Sequence, residues 1–303
     1  METWVLITVA AAFLQNVRSA MQKHLKGVMG TTGATFVRFG FGLPFALLYL
    51  ALLWWVGHGL PAPNGTFFLW AVIGGLAQIA ATFLLVHLFS FRNFAVGTAY
   101  SRTEPAQAAL FGLIFLGERA SSGALVAIAV SVIGVMLISV ARTTLSARSL
   151  LTSVFSRTAG IGLLSGTFFG LSAVSYRSAS LALAPSLPAP DYLMQASFTL
   201  GFVILMQTIV MLVWIALRER DELARIGTAW KPALLVGLVG ASASFGWFSA
   251  MTLQQAAIVK VVAQVEMLFT FTSSFFVFRE WITQLEFIGC LLIVLGVVLL
   301  LVL

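Results

Sequence analysis

Thr98-Ala-Tyr-Ser-Arg-Thr-Glu-Pro-Ala-Gln-Ala-Ala-Leu-Phe-Gly-Leu-Ile-Phe-Leu-Gly-Glu118 sets Arg102 and Glu104 inside an otherwise apolar helical run, beside Pro105, and closes on Leu-Gly-Glu. A second stretch repeats it 162 positions later: Lys260-Val-Val-Ala-Gln-Val-Glu266, then an apolar and aromatic run ending Phe278-Arg-Glu280. In each copy one glutamate stands 14 residues ahead of the terminal one, Glu104 before Glu118 and Glu266 before Glu280. A charge within an unbroken apolar helix is costly in lipid and has to face protein or water. The rest of the chain reads as the frame that holds these two helices.

Composition puts that frame in a membrane. Of 303 residues, 60% are hydrophobic and only 9% charged, more apolar surface than a soluble fold of this size hides. A spanning helix takes roughly 20 residues, so the chain has room for about ten spans with short connections. The apolar runs are 3–22, 32–56, 66–88, 94–116, 120–141, 158–182, 191–217, 229–250, 256–278 and 281–303. Runs of this length satisfy their own backbone in lipid as helices. The breaks fall at turn-rich or charged points such as Gly57-His-Gly-Leu-Pro-Ala-Pro-Asn-Gly65, Gly117-Glu-Arg119 and Thr252-Leu-Gln-Gln255.

Charge placement gives an orientation and removes several function classes. The odd-numbered loops hold Lys23, Lys26, Arg92, Arg142, Arg148, Arg157, Arg218, Arg220, Arg225, Lys231 and Arg279, whereas the even loops hold only Arg119. The positive-inside rule therefore expects odd loops in the cytoplasm and both termini outside. The net charge of +7 is a topology signal and not a nucleic-acid footprint. Cys290 and three scattered histidines (His24, His58, His87) give no disulfide framework and no metal spacing. There is no phosphate-binding loop for ATP, and no nucleophile stands beside a base. The expectation is a non-enzyme with no cofactor and no metal.

The repeat extends beyond the two charged helices. At offset 162 Phe83 matches Phe245, Ala95 matches Ala257 and Gly134 matches Gly296; nearer the start of each half Val17-Arg18-Ser19-Ala20 matches Tyr176-Arg177-Ser178-Ala179. The halves, 1–145 and 155–303, each carry five spans. Five is odd, so the second half sits upside down relative to the first. Inverted repeats of this kind build a midplane site and alternate its access. The fold expected is an all-α integral membrane protein of ten transmembrane helices, two inverted five-helix repeats around a central cavity.

Five plus five helices, a fourth helix ending Phe-Leu-Gly-Glu-Arg119 in one half and Phe-Arg-Glu280 in the other, and a glycine-bearing fifth helix resemble the EamA family of the drug/metabolite transporter superfamily. The likeness covers the whole chain; Arg279, where glycine is usual, and the missing arginine after Glu280 are the departures. It implies a multi-pass protein of the bacterial inner membrane, monomer or homodimer, whose partners are the lipid bilayer and a small-molecule substrate and not nucleic acid. That family's exporters move amino acids, nucleotide metabolites or cationic drugs. The charged fourth helix is similar to the aromatic amino-acid exporter branch (YddG-like).

Seven ionisable residues lie well inside spans: Arg18, Arg38, Arg102, Glu104, Arg177, Lys260 and Glu266. Each costs about 2.5–3.5 kcal/mol on insertion scales unless partnered. The expected substrate contacts are Glu104 and Glu266 for an amino group or proton, and Lys260 and Arg102 for a carboxylate. The same four could equally be buried pairs, Glu104 with Lys260 and Glu266 with Arg102, that fix the halves. Glu104 shares a helical face with Tyr100, Gln107 and Phe111, while Arg102, about 200° away, would point at another helix. Pro105 predicts a kink at 101–105. Gln78, Thr82 and His87 on the third span, and Ser244 and Trp247 on the matching eighth, complete the candidate lining; Tyr100 and Trp247 could stack on a ring. A non-transporting scaffold or sensor remains the alternative, and would hold these charges in permanent pairs.

Overall fold

The structure is a computed structural model that describes residues 2–25, 27–88, 91, 100–140, 155–269 and 283–302. These form α1 (Thr3–Leu25), α2 (Thr31–Gly40), α3 (Leu43–Trp55), α4 (Gly65–Leu88), α5 (Glu104–Leu116), α6 (Ser122–Val140), α7 (Arg157–Ala182), α8 (Tyr192–Arg218), α9 (Arg220–Thr228), α10 (Trp230–Leu253), α11 (Ala256–Val262) and α12 (Gln284–Val302). No strand occurs among the described residues. Seven segments are long and apolar enough to cross a membrane, with α2 and α3 acting as one span, Thr31–Trp55. The shorter apolar helices Glu104–Leu116 and Ser122–Ile138, with the described part of the ninth span, 256–269, are consistent with ten spans. The breaks expected at Arg92-Asn93, Arg142 and Arg279-Glu280 lie outside the described residues, as do both copies' outermost span ends at 94–99 and 270–278.

The chain divides into two compact units that cut across the two repeats. One comprises residues 1–79 and 175–254, the other 80–174 and 255–303. The first holds α1–α3 and α8–α10 with parts of α4 and α7. α1 lies along α10, where Gly246 leaves room for Ala11 and Ile7. The bend between α2 and α3 sits on Gly237; a Cβ there would come within 2.3 Å of the Phe41 carbonyl carbon.

Hydrogen bonds at the two ends of this unit fix the direction of its helices. At one end Glu222 of α9 accepts from the Gly30 N–H (2.9 Å), and Thr32 donates to Glu219 (3.0 Å). At the other, His58 meets Asp191 at 2.5 Å, Asn64 donates to the Ala182 carbonyl (2.8 Å) and Ala62 N–H to Ser186 (3.0 Å). So α1 runs toward the α9 end, while its repeat counterpart α7 runs toward the Asp191 end. Likewise α4 starts at the Asp191 end and its counterpart α10 at the α9 end. The repeats are inverted.

The second unit is built on α6 against α12 and α5 against α11. Small residues let α6 and α12 approach. A Cβ on Gly134 would lie 2.7 Å from the Gly289 carbonyl oxygen, and one on Gly296 3.0 Å from that of Ala127. Adding 162 to Gly134 and Ala127 gives Gly296 and Gly289, so the two contacts are symmetry mates. Gly166 and Gly170 of α7 lie against Ser101 and Ala108 within this unit.

Candidate functional site

The fourth span breaks where its proline requires. Tyr100 and Ser101 are helical, Arg102 and Thr103 form a turn, and α5 begins at Glu104 with Pro105 in its first turn. Proline has no N–H to continue the preceding helix, yet its fixed φ suits a helix start. Thr103 bonds the carbonyl of Tyr100 through its hydroxyl (2.7 Å) and receives Gln107 Nε2 (3.0 Å). Glu104 therefore stands at the positive end of a new helix, where a carboxylate is favoured.

The ninth span breaks at the equivalent place without any proline or glycine. α11 ends at Val262, Ala263 and Gln264 form a turn, and residues 265–269 are helical again. The backbone tightens: Gln264 N–H donates to Val261, Glu266 to Ala263 and Met267 to Gln264, each a three-residue step. Adding 162 to Arg102 gives Gln264. Both charged spans are thus discontinuous helices, the construction that presents half-helix ends to a solute at mid-membrane.

The breaks bring four charges into two pairs, each joining the two spans. Lys260 Nζ lies 2.8 Å from Glu104 Oε1, with both side chains largely buried. Arg102 Nη1 lies 3.4 Å from Glu266 Oε2, the glutamate being 8% exposed. These are the pairings that the sequence offered as a structural option. The two glutamates do not oppose one another: each meets a cation of the other span. Nor does Arg102 point away from the span that Glu104 meets, because the turn at Arg102-Thr103 interrupts the 100° step on which that expectation rested. The Lys260–Glu104 contact is close yet lacks hydrogen-bond geometry at Oε1, so it is an ionic contact.

The remaining candidates divide between the units. With the ion pairs, the second holds Tyr100 (6% exposed), Thr82 (4%) and His87. His87 lies among rings, parallel to Phe83 at 6.2 Å and edge-on to Phe91 at 5.1 Å. The first holds Gln78, Ser244 and Trp247. Gln78 accepts from Tyr176 Oη (3.0 Å) and from Gln207 Nε2 (2.9 Å), Trp247 donates to Gln15 (2.9 Å), and Ser244 is buried. Of the other intramembrane charges, Arg177 is turned to the end of α10, where it donates to the carbonyls of Met251 (2.6 Å) and Gln254 (2.7 Å). Arg18 and Arg38 lie together against Gly240.

Gln264, which the sequence sets on the face of Lys260, and Gln107, on that of Glu104, were not among the expected substrate contacts. The register that pairs Arg102 with Gln264 was the signal that could have singled out the first. Ala106, Ala109, Leu110 and Leu113, with Leu125, line an open apolar groove of about 560 Å³ rimmed by Arg119.

Comparison with known proteins agrees with this architecture. The model of the EamA-like transporter family matches residues 2–140 and again 156–302. Among solved structures, one described only as the crystal structure of a protein is 16% identical, with a TM-score of 0.72 over 99% of both chains. That likeness is one of fold. No curated protein compared with the chain matches it.

Proposed function

Since the chain belongs to the EamA-like transporter family, and is thus a multi-pass membrane transporter of the drug/metabolite type, we propose that it exports amino acids, aromatic ones included. The observation that carries this reading is the two ion pairs, Glu104–Lys260 and Arg102–Glu266, at the breaks of two repeat-related spans. Two positive and two negative groups cancel. A zwitterion can enter such a set by exchange: its ammonium takes the place of a cation at a glutamate, and its carboxylate takes up the cation released. A purely cationic or anionic solute would leave one member unmatched in a low dielectric, which is costly. As pure glue such pairs are poor, because equally sized apolar residues often do as well.

In this reading the halves 1–145 and 155–303 alternate access, and Tyr100, Thr82 and His87 accompany the ion pairs in the second unit. The protein sits in the bacterial inner membrane with odd loops cytoplasmic and both termini outside. The chain carries no ATP-binding loop, so the solute's own gradient or a coupled ion drives turnover. The test is uptake of radiolabelled amino acids into proteoliposomes, as a competition panel with and without a pH gradient. Transport of aromatic or branched amino acids that is lost in Glu104→Gln and in Lys260→Ala supports the reading. A flat panel sinks it and redirects the search to cationic drugs and nucleotide precursors.

A further inference from the structure

Gln264 stands in the break of the ninth span and is only 6% exposed, yet neither its amide oxygen nor its amide nitrogen has a hydrogen-bond partner. A buried amide left unmatched forfeits its water without replacement, and native interiors rarely tolerate that at both ends of one side chain. Its place in the chain says what the vacancy serves. Lys260 lies one helical turn before it and Glu266 two residues after it, so both cross-span pairs flank it in sequence. In the repeat it occupies the position of Arg102. Where the first half sets a guanidinium, the second sets a neutral group that both donates and accepts.

The fourth span carries a lesser version of the same condition. Gln107, one turn after Glu104, uses its Nε2 on Thr103 (3.0 Å), while its buried Oε1 has no partner. That atom can only accept. The two spans therefore carry, close in sequence to charges that already cancel, one buried acceptor at Gln107, against Gly166 of α7, and one buried donor–acceptor at Gln264.

We infer that Gln264 and Gln107 are substrate-reading residues, and that together they select an intact α-amino acid. Gln264 Nε2 and Lys260 hold the carboxylate; Gln107 Oε1 and Glu104 hold the ammonium. This rests on the amino-acid reading above and adds the head-group rule: a decarboxylated amine leaves Lys260 and Gln264 unmatched, and a des-amino acid leaves Glu104 and Gln107 unmatched. Both are rejected, although each shares the side chain of the amino acid.

The assignment makes an unusual demand, because a residue kept unsatisfied for a ligand should be a burden without it. Gln264→Met, nearly the same size and apolar, is expected to melt at or above the temperature of the ligand-free wild type, while binding L-phenylalanine or L-leucine about tenfold to a hundredfold more weakly. The experiment uses the full chain in nanodiscs, with thermal unfolding for stability and calorimetry for binding. The probes are those two amino acids, phenethylamine and 3-phenylpropionate. A Gln264→Met protein that melts several degrees lower makes the amide a structural group and overturns the inference without any ligand. So does a variant that binds both amino acids as the wild type does. Wild-type binding of phenethylamine or 3-phenylpropionate as tight as that of L-phenylalanine overturns the head-group rule. A wild type that binds neither amino acid overturns the amino-acid reading itself, with this inference, and is told apart by appearing before any substitution is made.

Discussion

Arg177 and Arg102 are both arginines inside apolar spans, and they are held in opposite ways. In the first unit Arg177 lies at the end of α10, where carbonyls without helical partners collect, and it donates to Met251 at 2.6 Å and Gln254 at 2.7 Å. These acceptors are backbone, set by the helix end, and no solute can replace them. In the second unit Arg102 rests on Glu266 at 3.4 Å, a long contact between side chains at the break of two spans. An intramembrane charge is thus not by itself a mark of a site. What separates the two is whether the partner could be exchanged. The first arrangement caps a helix; in the proposed function the second opens to a solute.

The largest effect that tests this contrast is expected at the tighter pair. Lys260→Met leaves Glu104 buried and uncompensated, which costs about 3–5 kcal/mol. Neutralising both members, Lys260→Met with Glu104→Gln, should return most of that stability while transport stays lost. Thermal unfolding and proteoliposome flux on the same preparations read the two separately. Recovery of flux in the double variant would make the pair a packing device and erase the distinction from Arg177.

Arg177→Met comes next. It removes a charged donor from three carbonyls, those of Met251, Thr252 and Gln254, each such bond being worth about 1.5–3 kcal/mol, so a fall in the unfolding temperature of about 5–10 °C is expected for a chain of this size. The affinity of the folded fraction for substrate should not move. A weaker affinity with unchanged stability would move Arg177 from cap to site.

The contrast also shows what the residues could say in advance. Lipid forbids an unpartnered charge, so the list of candidates Glu104, Lys260, Arg102 and Glu266 followed from the sequence, and the repeat supplied the two possible pairings. Pro105 announced the break in the fourth span. Nothing comparable stands in Val259-Lys-Val-Val-Ala-Gln-Val-Glu-Met-Leu268, where the tightening at Gln264 is a product of tertiary context. The nine-residue helix α9 also escaped notice. Its stretch is as polar as a loop, and only the burial of Ile226 and the hold of Glu222 on Gly30 make it an element. Gln78 was legible as polar and on the third span. That it serves as acceptor for Tyr176 and Gln207 depends on helices remote in sequence, and no periodicity reports that.

Close helix contact in the second unit gives a third test. Gly134→Val would push a branched side chain into space where even a Cβ lies 2.7 Å from the Gly289 carbonyl oxygen and 3.0 Å from the Ile293 backbone nitrogen. Backbone cannot yield as a side chain can, and overpacking of this kind costs about 1–3 kcal/mol. The mate Gly296→Val should cost a similar amount, because its Cβ would meet the Ala127 carbonyl oxygen at 3.0 Å. Equal losses in unfolding temperature would show the two repeats bearing equally on this crossing; a loss at one position alone would deny it.

The smallest effect concerns the Leu-Gly-Glu ending itself. Gly117 follows α5 with φ of 64°, and the Glu118 N–H returns to the Gly112 carbonyl at 3.1 Å, the six-residue closure that ends a helix on a left-handed residue. A Cβ at Gly117 would meet nothing within 4 Å, so Gly117→Ala tests conformation alone. It should cost about 1 kcal/mol, or about 2–4 °C, with asparagine at the same place costing less because it tolerates the left-handed region. Flux should be unaffected, since the stop lies at the far end of α5 from Glu104. If Gly117→Ala instead abolished flux while the protein remained folded, the Leu-Gly-Glu motif would belong to the transport cycle, and the division between framing and exchangeable elements drawn from Arg177 and Arg102 would have to be moved.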